Sequence, residues 1–154
     1  MDTLYISRLL AEHGCSPIPG DSEGIRKILL ALGIDPASEL GWFYMNYAPM
    51  LVRSGEPREE LLNVMPPDAS SFPSWPSKPW ETPVGSTTVY VREGWAVPDE
   101  FICLSTIDTE GTFLYHLPTG SIYDFNLGQD NELRSGALQP RWKTFFEFIE
   151  WYLS

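Results

Sequence analysis

Apolar residues recur in the first part of the chain at helical spacing and in the second half at strand spacing. Ile6, Leu9, Leu10 and His13 share one face of a helix that Thr3 can cap and Gly14 can stop. Ile25, Ile28, Leu29 and Leu32 repeat at i, i+3, i+4 and i+7, after Asp21 or Ser22 as cap and before Gly33 as a left-handed stop. A third helix is predicted to start at Asp35, with Pro36 in its first position and Leu40, Phe43, Tyr44 and Tyr47 as its stripe, and to break before Pro49. A short helix over residues 57–63 completes a mainly helical stretch, residues 1–65.

Residues 66–86 interleave six prolines with serines and with Trp75 and Trp80. This predicts an ordered loop whose rings pack on the domain or join a binding surface. From residue 87 the period changes to two. Residues 87–95, 101–107, 112–117 and 121–127 read as four strands rich in β-branched and aromatic side chains, with hairpin turns between sequential neighbours. After a polar stretch over 128–139, Pro140 opens a last helix over 140–153. Trp142, Phe145, Phe146, Ile149, Tyr152 and Leu153 share its face. The expected fold is a single α+β domain over 1–154. It is an antiparallel meander of four to six strands, with N-terminal helices and a C-terminal helix packed on one side of it.

At 154 residues, 43% hydrophobic and 14% aromatic, the chain can bury one real core. Ten basic residues against twenty-one acidic ones leave a net charge of −11, which disfavours nucleic acid and anionic lipid and suits either a basic protein or a cationic small molecule as partner. Residues 99–154 hold nine acids and three basic residues, so −6 of that charge falls on the sheet and final helix. Met1-Asp2-Thr3 opens no signal sequence and no apolar run approaches a membrane span, which points to the cytoplasm. Cys15 and Cys103 belong to no CxxC pair and read as buried, reduced thiols.

One catalytic pattern is present in form. Gly20-Asp21-Ser22-Glu23-Gly24 fits G-x-S-x-G, with His13 or His116 as the nominal base. The prolines at 17 and 19 argue against the buried strand that a nucleophile elbow requires, and a helix cap explains the same residues. Neither histidine has metal-ligand spacing, and the pairs Glu59-Glu60, Asp99-Glu100 and Asp108 with Glu110 sit at turns or helix starts, where acids solvate the surface. No catalytic residue, metal ligand or cofactor is expected.

Residues 93–104 (EGWAVPDEFICL), Gly111-Thr112-Phe113-Leu114-Tyr115-His116, Thr119-Gly120-Ser121-Ile122-Tyr123-Asp124 and the aromatic helix Phe145-Phe146-Glu147-Phe148-Ile149 follow one another in an order that resembles the SUKH (Smi/Knr-like) superfamily. The likeness covers residues 87–154 best and lacks the glycine-rich run that many members carry before the "ICL" strand. The resemblance implies a bacterial immunity protein that binds and neutralises a cognate toxin, often a basic nuclease. It carries over no catalytic residues. A monomer or weak homodimer is expected. The expected contacts are Trp75, Trp80 and Trp95 as anchors, with Asp99, Glu100, Asp108, Glu110, Asp130 and Glu132 steering the partner. A scaffold or cell-wall regulator of the same fold is one alternative. The other is a small-molecule site between helices and sheet, or a hydrolase using Ser22.

Overall fold

The computed structural model describes residues 2–18, 22–47, 60–65, 78–107 and 110–154, with Ser22 described in its backbone alone. Helix α1 (Thr3–Glu12) starts where the Asp2 carboxylate accepts the Tyr5 N–H at 3.0 Å, so Asp2 is the cap and Thr3 the first helical residue. Helix α2 (Ser22–Leu32) ends at Gly33, whose φ of +84° is the left-handed stop expected there. Helix α3 (Glu39–Asn46) opens at Glu39 and not at Pro36. Asp35 turns back to accept the Ala37 N–H, and Ser38 becomes the cap by accepting the Gly41 N–H at 3.0 Å. Of the short helix expected over 57–63, residues 57–59 lie outside the described residues. The remainder is not helical: Leu61 bridges Ser105 in antiparallel fashion.

The largest correction concerns the expected first strand at 87–95, which is helical. A 3-10 turn at Pro79–Glu81 leads into α4 (Pro83–Gly94). Thr82 caps it by accepting the Gly85 N–H at 3.0 Å while donating to the Pro79 carbonyl, and Pro83 occupies the first turn, where its missing N–H costs nothing. Val84, Thr88 and Val91 are buried at i, i+4 and i+7, the spacing of a helix face and not of a strand.

Three strands remain among the described residues, fewer than the four to six expected. They are β1 (Phe101–Cys103), β2 (Gly111–His116) and β3 (Ile122–Asn126), joined as an antiparallel meander in the order β1-β2-β3. The sequential hairpin pairing agrees with the sequence reading. Both outer edges are partly covered, β1's extension by the Leu61–Ser105 bridge and β3's by an Ile122–Trp142 bridge. That pairing blunts the open edges through which sheets associate.

Register sorts the sheet into two buried faces, because successive side chains alternate. Ile102, Phe113, Tyr115 and Ile122 share a core with α1, α2, α3 and α6 (Phe145–Leu153). Phe101, Cys103, Leu114 and Phe125 form a second core with Val91 of α4 and Leu133 of α5 (Asp130–Ser135), a helix inside the stretch expected to be irregular. Helices therefore cover both sides of the sheet. The last helix starts at Phe145 under a Thr144 cap; Trp142 lies before it, pairing with β3.

Under α4 runs a buried polar chain. Thr88 accepts the Cys103 N–H at 2.9 Å, Thr112 Oγ1 lies 2.9 Å from both Cys103 Sγ and Ser105 Oγ, and Ser105 accepts the Phe113 N–H at 3.0 Å. Burial pushes the Cys103 thiol up to about 11, against the hydrogen bond from the Thr112 hydroxyl, which favours the thiolate. A raised thiol value favours the folded, protonated form. Its contribution is complete below about pH 9 and is lost as pH climbs toward 11, a fall of about 3 kcal/mol for a two-unit shift. Urea denaturation at pH 8 and at pH 11 should show Cys103→Ser losing less stability over that interval than the parent. Equal losses would contradict the assignment.

Candidate binding surface

The second layer, built from α4 and α5 over one sheet face, gathers most of the acidic and aromatic residues nominated from the sequence. Arg134 on α5 donates to the Ala96 carbonyl and pairs with Asp130 at 3.3 Å, which ties α5 to the loop before β1. Arg92 on α4 donates to the carbonyls of Asp99 at 2.6 Å and Phe101 at 2.9 Å, and its guanidinium lies 5.2 Å from the Trp80 ring centroid. Both cations of the layer are thus turned onto backbone oxygens. Desolvation lowers the Arg92 value, opposed by the charge of Asp99.

The nominated acids separate into two groups. Asp99 and Glu100 are exposed where β1 begins, with Glu100 3.4 Å from His116 Nε2. Glu110 sits at the start of β2, about 20 Å away by strand rise. Its carbonyl accepts the Leu127 N–H at 2.7 Å, placing it beside the end of β3 that leads to Asp130 and Glu132 on α5. Asp130 is half-buried and paired, whereas Glu110 and Glu132 are exposed and make no ion pair among the described residues. Asp108 and Trp75 lie outside the described residues. Trp95 is half-buried, stacked on Phe125 at 6.3 Å, so it supports the layer more than it presents a face.

The aromatic that the sequence reading missed is Tyr90. It is 57% exposed on α4, on the outward stripe Ser86–Tyr90–Glu93, and forms an edge-to-face pair with Trp95 at 6.3 Å between ring centroids. Ser86, Thr87, Tyr90, Thr106 and Ile107 line an open hollow of about 400 Å³. A helical reading of 83–94 makes that stripe visible through its i, i+4, i+7 spacing.

On the other side of the sheet, a cleft of about 370 Å³ lies between the α2–α3 turn, the β2–β3 turn and the start of α6. Asp35, Ser38, Glu39, Tyr115, Thr119 and Lys143 supply its polar lining. Several of these groups are already engaged. Ser38 caps α3 and donates to the Asp35 carbonyl, Glu39 accepts the Phe146 N–H at 2.8 Å, and His116 and Ser121 both lie 2.7 Å from Thr119 Oγ1. The G-x-S-x-G pattern lies elsewhere: Ser22 opens α2, residues 15–18 carry no strand, and Asp21 is outside the described residues. His13 bonds its own helix at the Leu9 carbonyl. Among the described residues no group of three His, Cys, Asp or Glu could hold a metal ion, and no helix is long and apolar enough to cross a membrane. No protein-family model matches the chain, and no curated protein matches it in sequence.

Proposed function

We propose that the protein is a non-catalytic binding module, an immunity protein of the SUKH type that holds a cognate basic toxin on the α4–α5 layer. The observation that carries the reading is the asymmetry of charge on that layer. The layer's two cations, Arg92 and Arg134, are held against backbone carbonyls and are outnumbered by the exposed acids Glu93, Asp99, Glu110 and Glu132. An exposed field of one sign speeds encounter with a partner of the other sign. Charged side chains at the rim act mostly through association rate, and exposed aromatics near them supply contact area.

Co-expression with the protein encoded immediately beside this one tests the proposal. The expected result is a stable complex and relief of that protein's toxicity. Substituting Glu110→Lys together with Glu132→Lys should slow association roughly tenfold, since each reversal doubles the local charge change. No complex and no relief would refute the reading.

The cleft favours a second reading, a small-molecule site, because its size falls within the range of ligand pockets and Lys143 lines it together with Asp35 and Glu39. A zwitterionic metabolite fits that arrangement of charge. Thermal shift against amino acids, with the shift lost in Lys143→Ala, would support it.

A further inference from the structure

We propose that the hollow between α4 and residues 106–107 receives an arginine side chain of the partner protein, with Tyr90 as the surface on which the guanidinium stacks. The inference rests on the binding-module reading and deepens it by naming what the partner presents.

Three observations converge there. Tyr90 keeps an open ring: Trp80 is already met by Arg92, and Trp95 is stacked against Phe125, whereas Tyr90 is 57% exposed. Two acidic residues neighbour its lining residues through the backbone. Glu93 lies one helical turn beyond Tyr90 and is exposed. Glu60 is held against Thr106 by paired bonds, its N–H to Thr106 Oγ1 at 3.0 Å and its carbonyl accepting the Thr106 N–H at 2.8 Å. Neither acid makes an ion pair among the described residues. Finally, Ile107 and Thr87 give the hollow apolar walls, which suit the methylene stem of a long cationic side chain.

An exposed aromatic ring with apolar walls, on a layer whose exposed charges are mostly acidic, recognises a cation that is planar, weakly hydrated and carried on an aliphatic stem. Arginine meets each condition better than lysine, whose ammonium is a strongly hydrated point charge. The chain shows the same chemistry internally, where Arg141 lies 4.7 and 4.6 Å from the ring centroids of Trp142 and Trp151 while pairing with Asp124 at 2.9 Å. A neutral aromatic partner would leave Glu60 and Glu93 without a counter-charge, and an acidic one would be repelled.

The test is a titration of the isotope-labelled protein, followed by backbone amide shifts, with acetyl-Gly-Arg-Gly-amide and with the citrulline peptide of the same shape and no charge. The arginine peptide should give saturable shifts centred on Ser86, Thr87, Tyr90, Thr106 and Ile107, and the citrulline peptide none. Tyr90→Ala should weaken arginine binding at least tenfold while its spectrum elsewhere stays that of the parent, since an exposed ring contributes little to folding. Binding unchanged in Tyr90→Ala, equal shifts at Glu110 and Glu132, or no saturation at about 20 mM peptide would overturn the proposal. A complex with the neighbouring gene product that Tyr90→Ala leaves at full affinity would overturn the hollow alone. Absence of that complex in the parent protein would overturn the module reading, with the peptide titration still deciding the hollow.

Discussion

Phe113→Ala is expected to lower stability by about 3–5 kcal/mol, the cost of deleting a large aromatic from a core that cannot collapse around the gap. The ring is 3% exposed on β2 and meets Phe148 at 5.1 Å, Trp142 at 5.7 Å and Trp151 at 5.7 Å, each edge-on. It therefore joins the sheet to α6 and to the segment that pairs with β3's edge. A native domain has about 5–15 kcal/mol in total, so this variant should melt roughly 10 °C or more below the parent. Leu4→Ala is the control: the side chain is 66% exposed and its removal should change stability by less than about 0.5 kcal/mol. Urea denaturation of the two variants checks both, and a Phe113→Ala loss under about 1 kcal/mol would contradict the packing described.

Gly85→Ala should also destabilise, by about 1–3 kcal/mol, although alanine is ordinarily the better helix residue by about 1 kcal/mol. The sign is decided by what a Cβ would meet. It would stand 2.3 Å from the Pro79 carbonyl oxygen and 2.7 Å from the Trp80 Cα, both backbone atoms of the 3-10 turn that cannot swing aside. Relieving that clash would pull α4 off the turn and strain the Thr82 cap, whose hydroxyl serves both elements. Gly94, at the other end of α4, has nothing within 4 Å of its Cβ position, so Gly94→Ala should be neutral or slightly stabilising. Thermal unfolding separates the pair. A stabilised Gly85→Ala would mean that α4 does not start against residues 79–81.

The misreading of α4 shows which signals compete. Thr87, Thr88, Val89, Tyr90 and Val91 have strand composition, and composition outweighed two helix-start signals, Thr82 as cap and Pro83 in the first turn. Period would have corrected it, since Val84, Thr88 and Val91 are buried while Ser86, Tyr90 and Glu93 face solvent. Helix α2 was legible because its apolar spacing and its glycine stop agree. The start of α6 lies later than Pro140 for a similar reason: Thr144 and Glu147 together form the cap, and Pro140 alone does not mark it. At the surface, turn composition revealed the exposure of Asp99, Glu100, Glu110 and Glu132. The pairing of Asp130 with Arg134 was readable from their i, i+4 spacing, but that of Glu100 with His116 depends on the register of β1 against β2, which no local pattern encodes. Tyr90 was hidden because a strand assignment gives it no stripe to belong to.

Capture of a basic protein by the acidic α4–α5 layer is tested by the association rate with the gene product encoded immediately beside this one, measured from low to high salt. Steering by exposed acids predicts an on-rate that falls about tenfold or more as salt rises from about 50 to 500 mM, with dissociation changing by less than about threefold. An on-rate indifferent to salt, or no complex at any salt, would contradict it.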